Sequence, residues 1–127
     1  MGRTTKSPDT GFTLVELLLV VALVAVLGGL ALQAVVAYRK DAYDARAMHD
    51  VGNAAVAQES YYATYFTYVN FTATGPATLS VPGLVVSESV TLKGVGDEQK
   101  FTVEASSSKG TGKKFVYDSE TDTIRSD

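Results

Sequence analysis

Apolar and polar positions divide the chain into stretches with different periods. Between residues 12 and 38, 22 of 27 positions are apolar, and residues 17–38 carry no charge at all. Twenty-two helical residues at ~1.5 Å each cover the ~30 Å of a bilayer's hydrocarbon. The run is longer than the ~7–15 apolar residues of a secretory signal peptide. It therefore predicts a membrane-crossing helix, with removal of a signal after Ala37 and a buried core helix as the alternatives. From 39 to 66 the chain is Ala-rich. Met48, Val51, Ala55, Tyr62 and Tyr65 recur at mixed three-, four- and seven-residue spacing, which predicts an amphipathic helix. Asp41, Asp44, Arg46, Asp50 and Glu59 are left for its other faces. No proline stands between Pro8 and Pro76, so both halves can form one helix of about 50 residues.

Beyond Gly75 and Pro76 the period shortens to two. Val90 and Leu92 alternate with Thr91 and Lys93, and Phe101, Val103 and Ala105 alternate with Thr102 and Glu104. Residues 115–117 suggest the next strand and residues 123–125 a short edge strand. Residues 94–99, 106–112 and 119–122 read as turns. The expected fold is α+β: a long N-terminal helix packed on a small antiparallel sheet of three or four strands within residues 89–127, reached through a connecting loop over 67–88. Residues 1–11 are polar and stand apart as a leader.

Composition sharpens this picture mainly by exclusion. The mean hydropathy of +0.09 averages one greasy segment with one polar domain and describes neither. The chain has no cysteine, so no disulfide, thiolate metal site or cysteine nucleophile is available. Its single His49 excludes a histidine metal cluster. A net charge of −3 argues against nucleic acid as the main partner, although Lys113 and Lys114 form a local basic spot. Asp118, Glu120 and Asp122 alternate through one turn without calcium-loop spacing, and read as a solvated hairpin. No phosphate cradle or nucleophile elbow is present. The sequence implies no cofactor, no metal and no enzymatic activity.

Three features remain open to a functional reading. Glu16 is a carboxylate near the start of an otherwise apolar helix, where burial in lipid is unfavourable. It either snorkels to the headgroups or has a dedicated cationic partner. Cleavage between Gly11 and Phe12 would create such a partner, the α-ammonium of Phe12, four residues away or on a neighbouring subunit. Gly28 and Gly29 weaken the helix by ~1 kcal/mol each relative to Ala. They serve either as a flexible point or as small residues for close helix contact. Six of the twelve residues 61–72 are aromatic, which suggests a helix end packed on the core or a contact between subunits. Asn70 opens a short glycosylation-like triplet that reads as a loop. Arg3 and Lys6 precede the apolar run, but Arg39, Lys40 and Arg46 follow it, so charge leaves the orientation open.

Gly11, then Phe12-Thr13-Leu14-Val15-Glu16-Leu17 and an unbroken apolar run, resembles the class III signal of type IV prepilins and pseudopilins. The resemblance covers roughly residues 11–38. It implies that Gly11 is the last leader residue recognised by a prepilin peptidase. Phe12 would be the first mature residue and would be N-methylated. Glu16 would pair with the Phe12 amine of an adjacent subunit during assembly. It further implies a single-pass inner-membrane precursor and an extracellular filament built as a helical homopolymer. An assembly ATPase and an inner-membrane platform would act indirectly. Two departures stand out: Gln33 occupies the place where many pilins carry a proline, and the usual C-terminal disulfide is absent. The function expected is that of a structural type IV pilus subunit serving adhesion, motility or DNA uptake. The alternatives are a type II secretion pseudopilin and a membrane-tethered or secreted binding domain unrelated to pili.

Overall fold

The computed structural model describes Met1, Gly2 and residues 11–127. Most of the expected leader, including Arg3 and Lys6, lies outside the described residues. Two compact units are present, Met1–Val35 and Val36–Asp127. Helix α1, Leu14–Tyr65, contributes to both and is continuous through Gly28, Gly29 and Gln33. In the first unit, every described residue from 11 to 35 is exposed. Among the described residues, this part of α1 buries nothing, so its apolar side chains are left for an apolar surrounding.

The second unit is the α+β body. Its strands are β1 (Phe71–Thr74), β2 (Ala77–Thr78), β3 (Val85–Val86), β4 (Val90–Gly96), β5 (Phe101–Ser107), β6 (Lys114–Asp118) and β7 (Thr123–Ser126). Five of them form an antiparallel sheet in the order β1-β4-β5-β6-β7, and β2 pairs with β3 separately. The alternation read in the sequence is obeyed: Val90, Leu92, Phe101, Val103 and Ala105 point into the core, while Thr91, Lys93 and Thr102 face out.

The sheet has five strands, one more than the upper expectation, and the stretch 67–88 is not simply a loop. Residues 71–74 form an edge strand, and β2 and β3 also fall in this stretch. The Phe71/Ala73 alternation was obscured by the run of aromatics before it. Phe71 sits opposite Gly94 in the β1–β4 register, and its ring fills the space that a Cβ on Gly94 would need. The two-residue strands β2 and β3 are too short to carry a periodic signal.

The buried face of α1 also differs from the expected one. Val51 and Ala55 are buried, but Met48 and Tyr65 are exposed. The stripe facing the core is instead Asp44, Ala47, Asp50, Val51, Ala54, Ala55, Ala57 and Gln58. Four of these eight are alanine, so the face is marked by small side chains rather than by bulk. Asp44 and Asp50, expected on outward faces, are buried because each satisfies buried donors. Asp50 accepts from Ser87 N–H at 2.7 Å and Ser87 Oγ–H at 2.9 Å. Asp44 accepts from the Thr111 N–H at 3.1 Å and from the Thr111 hydroxyl. Gln58 makes the third tie: its Nε2 donates to Val69 O at 2.7 Å and its Oε1 accepts from Val69 N–H at 3.0 Å.

The helix ends at Tyr65. The Phe66 N–H donates to Tyr62 O at 2.8 Å, and Phe66 turns to a left-handed φ of 56°. That is a glycine-like cap carried by an exposed aromatic. Behind it the aromatic run is mostly packing, as one of the sequence readings held. Tyr68 stacks on Tyr62 of the helix with ring centroids 4.6 Å apart and meets Phe101 of β5 at 4.6 Å. Phe101 in turn contacts Tyr117 at 5.5 Å. Tyr68 thus joins the helix end to the sheet.

Candidate functional site

The candidate site is the start of α1. Thr13 is the residue before the first helical position, and its carbonyl accepts the Leu17 N–H at 3.2 Å. Its hydroxyl oxygen accepts the Glu16 N–H at 3.2 Å. Glu16 Oε2 reaches back and accepts the Thr13 N–H at 2.8 Å and the Thr13 hydroxyl at 3.1 Å. This is a reciprocal capping box, in which two donors that the helix cannot satisfy internally are satisfied by side chains three residues apart. The T-x-x-E spacing at 13–16 was the available signal, and the sequence reading of Glu16 alone passed over it.

The box restrains Glu16 without using it up. Oε2 takes all of these bonds, and among the described residues Oε1 accepts none. The carboxylate is held at the head of the helix, where the positive end of the helix dipole favours a negative charge. Oε1 is left free to face a cation from elsewhere. Phe12 is 87% exposed. Among the described residues, Gly11 meets nothing within 4 Å at its Cβ position.

Gly28 and Gly29 lie further along the same exposed helix. A Cβ on either would meet nothing within 4 Å. No contact among the described residues therefore demands glycine there. The aromatic residues and the acidic turn lie elsewhere, in the second unit. In that turn Asp118 Oδ1 accepts the Glu120 N–H at 2.9 Å, Glu120 pairs with Lys100 at 3.2 Å, and Asp122 Oδ1 accepts the Tyr117 hydroxyl at 2.9 Å. These carboxylates are employed in shaping the hairpin. Burial, followed by the hydrogen bond to Asp122, pushes the Tyr117 phenol up to about 12. Asn70, in the glycosylation-like triplet, accepts the Gly96 N–H at 2.8 Å and so ties β1 to the end of β4.

The family described as the prokaryotic N-terminal methylation motif matches residues 6–32. That interval contains Gly11, Phe12, the capping box and most of the apolar helix. No curated protein matches the chain. The motif is a substrate of prepilin peptidase, points to a structural subunit rather than an enzyme, and implies pilus-type assembly machinery. The apolar helix fits membrane anchoring before assembly, being long and apolar enough to cross a bilayer. At the head of an exposed apolar helix, followed along the sequence by an α+β body, the chain carries the class III signal of type IV pilins and pseudopilins, and this motif supports a type IV pilin- or pseudopilin-like protein.

Proposed function

We propose that the chain is a structural subunit of a bacterial type IV pilus. The precursor rests in the inner membrane with residues 12–38 in lipid. Cleavage between Gly11 and Phe12 removes the leader, and methylation follows at the new Phe12 amine. The helix then leaves lipid for a bundle of identical helices, and residues 39–127 form the filament wall. The peptidase, the assembly ATPase and the membrane platform act on the chain but do not remain in the filament.

One observation carries this reading: the only charge between residues 12 and 38 is Glu16, held by Thr13 with one carboxylate oxygen free. Lipid and helix bundle are both apolar, so transfer between them gains little from hydrophobic burial. The move needs a directional contact, and an ammonium on a neighbouring Phe12 meeting Glu16 supplies it. Away from water such a charge-assisted bond is short and strong. Gly28 and Gly29, which no contact among the described residues requires, then serve close packing or local bending within the bundle.

The test is Glu16→Ala. The variant is expected to be processed and to reside in the membrane, yet to form no filaments by itself. Homogeneous Glu16→Ala filaments in wild-type amount, seen by electron microscopy, would overturn the pairing. Genetic linkage to pilus or secretion genes, and filaments at the cell surface rather than confined to the envelope, separate the pilin from the pseudopilin.

A further inference from the structure

Immediately after the uncharged span, α1 presents Arg39, Ala42, Tyr43 and Arg46 around a cavity of about 180 Å³. At 100° per residue these four positions lie within roughly 100° of one another on one side of the helix, whereas Asp41 lies roughly 160° from Arg39. Tyr43 is the centre of the site. The Arg46 guanidinium lies over its ring at 5.0 Å from the centroid, and Lys109 Nζ lies at 5.5 Å. Lys109 is already committed to Glu88 at 2.7 Å. That bond, with a smaller contribution from the Arg46 charge, holds Glu88 below the usual carboxylate range. Asp44 is buried and engaged by Thr111. Among the described residues, neither Arg39 nor Arg46 has a salt-bridge partner. The result is two planar donor forks, neither in a salt bridge among the described residues, beside an aromatic ring.

We propose that this pocket binds the phosphate of an anionic phospholipid headgroup while the subunit waits in the membrane. Guanidinium forks match phosphate oxygens two at a time. Tyrosine, with an apolar ring and a polar tip, is suited to the headgroup level. The position fits as well. A span of 22 uncharged residues ends at Tyr38, so Arg39 is the first residue to leave the hydrocarbon. A phosphate there neutralises the two arginines and fixes the depth at which the precursor sits. Extraction into a filament then requires release of that lipid.

The proposal rests on membrane residence of the precursor, which carbonate extraction of wild-type cells tests separately. A chain released by carbonate overturns the membrane reading itself. For the lipid site, native mass spectrometry is carried out on the full chain in micelles holding equal amounts of phosphatidylglycerol and phosphatidylcholine. Wild type is expected to retain phosphatidylglycerol. Each cation near an anionic lipid surface contributes a factor of about five, so Arg39→Gln/Arg46→Gln should lose the preference about 25-fold. Arg39→Lys/Arg46→Lys should recover part of it. Lys93→Gln/Lys113→Gln, which removes the same charge elsewhere, should leave it intact. Undiminished phosphatidylglycerol on the double glutamine variant overturns the proposal. So does equal retention of inorganic phosphate by wild type, which would mark a site for free anions. Unchanged lipid retention with loss of filaments would assign the pocket to a carboxylate of a second copy, and would overturn it too.

Discussion

Gln58→Ala isolates the tie between α1 and the sheet. Gln58 is fully buried, and both ends of its amide are bonded to the backbone of Val69, at 2.7 Å and 3.0 Å. Truncation removes both bonds, each worth about 1 kcal/mol net. It also leaves the Val69 N–H and C=O without these partners and opens a gap where the fully buried side chain stood. Together these effects predict a loss of about 3 kcal/mol, at the upper end of ordinary single substitutions. For a domain of this size the melting temperature should fall by about 12–24 °C. The assay is thermal unfolding of the full chain in detergent, followed by the tyrosine near-ultraviolet signal of the second unit. Gln58→Glu gives a finer control. It keeps the acceptor for Val69 N–H but sets a carboxylate against Val69 O, so burial and that carbonyl raise its folded-state pKa. A group raised in the folded state stabilises while protonated and loses that contribution as pH rises through its folded pKa. Gln58→Glu should therefore be most stable in acid and weaken towards neutrality relative to wild type. A melting temperature for Gln58→Ala within a few degrees of wild type, or a flat difference for Gln58→Glu across pH, would show that Val69 is held by other means.

Two further outcomes test the second unit. Gly110→Ala should destabilise it, because a Cβ there collides with the Asp44 carboxylate that receives Thr111; wild-type stability by thermal unfolding would mean the loop relaxes freely. The Tyr117 phenol, pushed up to about 12, should remain neutral after the exposed tyrosines have ionised. Since its folded pKa is raised, stability is lost as pH climbs from the ordinary tyrosine range towards about 12. Ultraviolet titration of wild type and Tyr117→Phe resolves this, and identical alkaline unfolding of the two would contradict it.

Much of the fold was legible because two strong periodicities lie end to end. The uninterrupted apolar run and the absence of proline marked α1 through Gly28, Gly29 and Gln33. Alternation marked β4 and β5, where one face is buried and the other wet. What was hidden has local physical causes. Alanine makes up half of the buried face of α1, so the search for bulky positions selected Met48 and Tyr65, which are exposed. Asp44 and Asp50 carry charge, yet they are buried because their value lies in receiving donors from Thr111 and Ser87, and such distant partners leave no mark in local spacing. Strand β1 depends on Gly94 making room for Phe71, again a long-range relation. At the candidate site the motif around Gly11, Phe12 and Glu16 was plain in the sequence, and the T-x-x-E cap was equally readable. The spacing of Arg39, Tyr43 and Arg46 along one side of α1 was readable too, whereas the approach of Lys109 to Tyr43 arises only in the folded unit.

The most direct test of the account is intact-mass and peptide mass spectrometry of the protein recovered from sheared surface filaments. The account predicts a single chain beginning at N-methylated Phe12. A chain that begins near Tyr38, or that retains Met1, would contradict it.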